Sequence, residues 1–149
     1  MTARLGRAEI AALIPHAGPM CLLDSVRCWD NARVVCTAVS HRDPDNALAD
    51  NGRLDVMAGI EYAAQAMAVH GGLLARDQGK VAPPGMLVAL RGVALHCERI
   101  DDLSGALECE AEALIAGEGA QQYRFTIRHG GTVLAEGRAA VMLQPERPA

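Results

Sequence analysis

Between Val56 and Leu74 the chain is dominated by Ala, Gly, Met, Val and Leu, and Glu61 is the only carboxylate in that stretch. A long run with no charged face reads as a helix buried on most sides. An ionised carboxylate buried without a partner costs several kcal/mol, so such a group gains a hydrogen-bonded neighbour or changes its protonation. A second side chain of interest lies upstream in Ile14-Pro15-His16-Ala17-Gly18-Pro19-Met20, where two prolines and a glycine constrain the backbone around His16. A fixed carboxyl and a fixed imidazole are the pair that proton-transfer chemistry needs. A Glu at a solvated helix edge and a His in a proline turn account for the same residues without any chemistry.

The chain has 149 residues, enough for one compact domain over 1–149. It is 50% hydrophobic but only 3% aromatic, so its core must be assembled from Ala, Val, Leu and Met. Net charge is −4, and the positive charge is scattered arginine with no basic run. With Trp29 and Phe125 the sole residues of their types, nucleic-acid binding is disfavoured. The five cysteines, Cys21, Cys28, Cys36, Cys97 and Cys109, show no C-x-x-C spacing and fall on expected strands, where they act as small hydrophobes. No zinc-type spacing, signal peptide or membrane span is apparent, and a reducing cytoplasm is the expected setting.

Residues 6–14 read as a short amphipathic helix stopped by Pro15. Met20 to Trp29 and Ala32 to Ser40 read as a strand pair turned at Asp30-Asn31. His41 to Gly52 is a polar loop, and the long helix follows from an Asp55 N-cap to about Arg76, closed by Asp77-Gln78-Gly79. Gly71-Gly72 weakens it by about 1 kcal/mol per glycine, which implies a close neighbour. After Pro83-Pro84-Gly85 only strands remain: Met86 to Arg99 with a bend at Arg91-Gly92, Leu107 to Ile115, Gln121 to His129, and Thr132 to Leu143 after a Gly130-Gly131 turn. Glu108, Glu110 and Glu112 alternate with apolar residues and read as a solvated strand face. One apolar helix plus about six antiparallel strands is an α+β arrangement in which a curled sheet wraps the helix, the hot-dog fold. Its exposed sheet edge calls for pairing with a second subunit.

The segments Leu13-Ile14-Pro15-His16-x-x-Pro19-Met20-x-Leu22-Leu23-Asp24 and Gly59-Ile60-Glu61-Tyr62-x-x-Gln65 resemble motifs of the hot-dog 3-hydroxyacyl-acyl-carrier-protein dehydratases. The P-H-x-x-P-M opening, the I-E-x-x-A-Q helix and Met86-Leu87-Val88 with Arg91-Gly92-Val93 look like the aryl-polyene-type subgroup, from about Ile10 to Leu143. One feature departs from the fatty-acid dehydratases: where they carry the His of G-H-F-P, fourteen residues before the helix Glu, this chain has Ala47.

The resemblance implies elimination of water from a 3-hydroxyacyl thioester on an acyl carrier protein or CoA. His16 is then the base and Glu61 the group on the hydroxyl side. The amides near Val56 and Met57 are expected as oxyanion donors, and Gln65 is expected to orient the carboxyl. Ala68 and Gly72 would floor an acyl channel, and Arg42, Arg91 and Arg99 would receive an acidic carrier. No metal or redox cofactor is implied. A homodimer, or a heterodimer with another hot-dog subunit, is expected, with higher oligomers open. A thioesterase using the helix carboxylate, and a weakly active partner subunit of a heteromeric dehydratase, stand as alternatives.

Overall fold

The computed structural model describes residues 4–14, 20–83, 85–117 and 120–143. His16 and the rest of residues 15–19, and Pro84 of the expected connector, lie outside the described residues. In chain order the elements are α1 (Arg7–Leu13), β1 (Ser25–Trp29), β2 (Arg33–Ala38), α2 (Ala58–Asp77), β3 (Gly85–Leu95), β4 (Leu107–Gly117), β5 (Ala120–His129) and β6 (Thr132–Leu143). All six strands join one antiparallel sheet, in the order β1-β2-β4-β5-β6-β3, curled around α2. This is the hot-dog fold that the sequence led us to expect.

Alternation along the strands builds the inner face. Leu107, Cys109 and Ala111 of β4 and Tyr123, Phe125 and Ile127 of β5 are buried against α2 side chains such as Tyr62, Ala66 and Val69. Phe125 lies opposite Gly137 of β6, and a Cβ there would stand 3.0 Å from the Phe125 ring, so the strand needs glycine at that point. On the outer face Glu108 pairs with Arg27, Glu110 with Arg33 and Arg128, and Glu112 with Arg124.

Several boundaries differ from expectation, two of them for a hydrogen-bonding reason and one beyond a bulge. β1 begins at Ser25 rather than Met20, because side chains capture the backbone of residues 20–22: Gln65 takes Met20 O and Leu22 N–H, Arg7 takes Cys21 O, and Ser40 takes Leu22 O. α2 begins at Ala58 rather than Asp55. The Asp55 carboxylate accepts from Met57 N–H at 2.8 Å, and the amides of Ala58, Gly59 and Ile60 bond three residues back, forming a tight entry turn. β3 stops at Leu95, after a bulge where Gly92 takes φ 59, so His96 and Cys97 fall beyond it.

Two buried histidines tie the core to its loops. His70 Nε2–H donates to Asp30 O at 2.9 Å, which leaves Nδ1 to accept from the Tyr123 hydroxyl at 3.0 Å. His41, in a 3₁₀ turn over Ser40–Arg42, donates from Nε2 to Leu103 O at 2.9 Å. Burial lowers the pKa of both imidazoles; the backbone bonds to Asp30 and Leu103 offset this in part.

The adjacent glycines of α2 have opposite surroundings. A Cβ on Gly72 would come within 3.1 Å of Leu13 O at the end of α1, whereas one on Gly71 would meet nothing within 4 Å. Gly72 is therefore the point of close helix contact, not a channel floor. We expect Gly71→Ala to stabilise the fold by about 1 kcal/mol and Gly72→Ala to destabilise it by a similar amount, read as opposite shifts in thermal midpoint. Equal stabilisation by both would refute the contact. The histidines supply a second expectation. Their folded-state pKa values are depressed, so the stability they confer is complete above about 6.5 and is lost as pH falls through the folded values. Urea unfolding at pH 7.5 and 5.5 should show the lower midpoint at pH 5.5; a flat profile over that window would contradict it.

Candidate active site

The face of α2 that does not meet the sheet carries Glu61, Ala64, Ala68, Gly71 and Ala75, at the three- and four-residue spacing of a single stripe. All five are half-buried, because a cavity of about 830 Å³ runs beside them. The helix is therefore not buried almost all round; one stripe of its small residues faces open space. With a rise of about 1.5 Å per residue, the stripe from Glu61 to Ala75 extends about 21 Å.

The opposite walls come from Leu13 of α1 and the following Ile14, Met86 and Leu87 of β3, Gln121 and Tyr123 of β5, and Val141 of β6. Glu61 is the only carboxylate among the described residues that line the cavity. At the other end of the stripe stand the exposed Gln78 and Lys80, the latter the only lysine of the chain. Tyr123 is buried, and its hydroxyl is held by His70, which fixes the ring at the wall. Burial pushes its phenol up to about 12, so it stays protonated at neutral pH.

The residues singled out in the sequence separate into distinct positions. Glu61 lines the cavity. His16 lies outside the described residues, two positions beyond the cavity-lining Ile14. Gln65 is fully buried and spends its amide on the strap rather than on a carboxyl, accepting from Leu22 N–H at 2.9 Å and donating to Met20 O at 2.6 Å. Val56 and Met57 do not offer free amides. Val56 N–H donates to Glu98 O at 3.0 Å and Met57 N–H to the Asp55 carboxylate, so the entry turn consumes the groups expected as oxyanion donors. Of the arginines, Arg99 is tied to Asp101, and Arg91 lies on the outer sheet face. His41 is buried beneath Leu103. Of the stripe below Glu61 the sequence pointed to Ala68 but placed Gly72 where Gly71 stands, and Lys80, Gln121 and Tyr123 reach the cavity only through tertiary packing.

A curled sheet around a helix that presents one carboxylate to a cavity defines a hot-dog protein with a candidate site on that helix. A family model for ApeP dehydratases, named ApeP-like, matches residues 8–149, and the chain belongs to this family of dehydratases. Among solved structures, the chain is similar to one of the dehydratase heterocomplex ApeI:P from Xenorhabdus doucetiae, with 26% identity, a TM-score of 0.83 and coverage of 92% of this chain and 91% of that one. A thioesterase from Haemophilus influenzae matches at 13% identity and TM-score 0.58, covering 80% of this chain and 76% of its own, a likeness of fold alone. No curated protein matches the chain. None of the helices among the described residues is long and apolar enough to cross a membrane.

Proposed function

We propose that this dehydratase removes water from a 3-hydroxyacyl thioester, carried by an acyl carrier protein or CoA, to give a 2-enoyl thioester in fatty-acid- or polyene-type biosynthesis. It acts as one domain over 1–149. The carrying observation is Glu61, alone among the carboxylates of the described residues, beside a cavity long enough for an extended acyl chain. His16 takes the proton from Cα, the electron pair released forms the Cα–Cβ double bond, and the β-hydroxyl leaves as water with a proton from Glu61. A reducing cytoplasm fits the five free thiols.

The partner docks on the β3 edge. This strand spans eleven residues and exposes Met86, Leu87, Val88, Leu90, Val93 and Leu95. Met86 and Leu87 also line the cavity, so a second hot-dog subunit seated there would help enclose the substrate. Arg91, Arg138 and Arg124 face one another across β3, β6 and β5, and Arg91 and Arg138 have no ion pair among the described residues. Like charges directly opposite are destabilising, which favours a partner of different sequence with carboxylates at that row over a second copy of this chain.

Turnover of a 3-hydroxyacyl thioester, followed by absorbance of the conjugated product, tests the reaction. Glu61→Gln and His16→Ala should each lower kcat/KM by about 100-fold or more with folding intact. Thiol release without enoyl product would replace elimination by hydrolysis. The cavity adds a separate expectation: Gly71→Phe should cut kcat/KM for a long acyl chain about tenfold relative to a short one. An equal effect on both lengths would exclude the stripe as the chain path.

A further inference from the structure

Next to Glu61, a chain of buried and part-buried hydrogen bonds runs in one direction. Ser40 Oγ lies 2.7 Å from both Leu22 O and the Tyr62 hydroxyl. A carbonyl can only accept, so the single Ser40 proton goes to Leu22 and Tyr62 must donate to Ser40. Asn46 Nδ2 in turn donates to the Tyr62 oxygen at 3.0 Å and to Ser40 O at 2.8 Å, while Asn46 Oδ1 accepts from Leu48 N–H at 2.8 Å. The order Asn46 to Tyr62 to Ser40 to Leu22 is thus fixed, with each of these protons committed. Tyr62 is fully buried and Asn46 nearly so.

The far end meets the bonds of Gln65. Leu22 N–H is held by Gln65, and Leu22 C=O by Tyr62 acting through Ser40. Both anchors therefore belong to the turn of α2 that carries Glu61, and both grip one residue of the Met20–Leu22 strap. A residue bound at both its N–H and its C=O to residues 65 and 62 leaves that turn little freedom to rotate or slide. The Gln65 bond to Leu22 N–H is buried and the Ser40 bonds are part-buried, so breaking them leaves polar groups poorly satisfied.

We propose that Tyr62, relayed by Ser40 and oriented by Asn46, is a positioning residue for the dehydration. It acts with Gln65 to hold the Glu61 carboxyl at a fixed place in the cavity. The proposal rests on the role given to Glu61 above. Tyr62→Phe keeps the packed ring and removes the hydroxyl, and with it both the proton given to Ser40 and the acceptor of Asn46 Nδ2. In the enzyme as purified, we expect it to lower kcat at least tenfold, with KM within twofold and exchange of the Leu22 amide at least tenfold faster. Ser40→Ala should match it, and Ser40→Thr should restore most of the rate. The decisive comparison is the Glu61→Gln background, where Tyr62→Phe should change the residual rate less than twofold because its route of action is gone. An equal loss in both backgrounds would make Tyr62 merely structural, and no loss in either would overturn the proposal. Full activity of Glu61→Gln by itself would instead overturn the role of Glu61, and with it the premise.

Discussion

A helix of twenty residues has more surface than one curled sheet of this size can cover, and the rest of the structure follows from how that excess is handled. The sheet takes the face with Tyr62, Ala66, Val69 and Leu73. α1 takes a small area at Gly72, where the absence of a side chain lets the backbones touch. What remains is a stripe of alanine and glycine headed by a carboxylate, and no element among the described residues covers it. Small side chains limit the cost of that exposure, because little apolar area is left in contact with water. The cavity is the uncovered remainder of a packing problem.

Polar groups inside such a unit have to be satisfied by other parts of the chain, and here they tie irregular segments to the helix. Residues 20–22 make no sheet ladder, yet side chains from α1, the 3₁₀ turn and α2 saturate Met20 O, Cys21 O and both polar groups of Leu22. The entry turn of α2 behaves similarly, with Val56 bonded to Glu98 and Leu54 to Ile100. These bonds give loop segments the rigidity of secondary structure. The same saturation removes the Val56 and Met57 amides from chemistry.

Most of the architecture was legible in the sequence, because alternation in β4 and β5, the Gly130-Gly131 turn and the apolar run around Glu61 are local signals. Both turn glycines indeed take positive φ, 55 and 84. The misread features depend on partners far away in the chain. Gln65 reaches Leu22 across 43 residues, and nothing near Met20 announces that its strand will be interrupted. Choosing between Gly71 and Gly72 as the open position requires the rotation of α2, since neighbouring residues differ by about 100° around a helix. Glu61 was found because a lone carboxylate in an apolar run is conspicuous; Tyr62, one residue on, resembles any core aromatic until its hydroxyl partners are known.

The two ends of the sheet are unequal. β1 is five residues long and its outer side is already bridged by Leu5, while β3 is eleven residues long and no other described segment bridges its outer side. A strand array that can extend from both ends grows without limit, as fibres do. One with a single open end adds once and is finished. The short bridge at Leu5 therefore takes up the β1 side, and among the described residues β3 is the edge left open to a further strand.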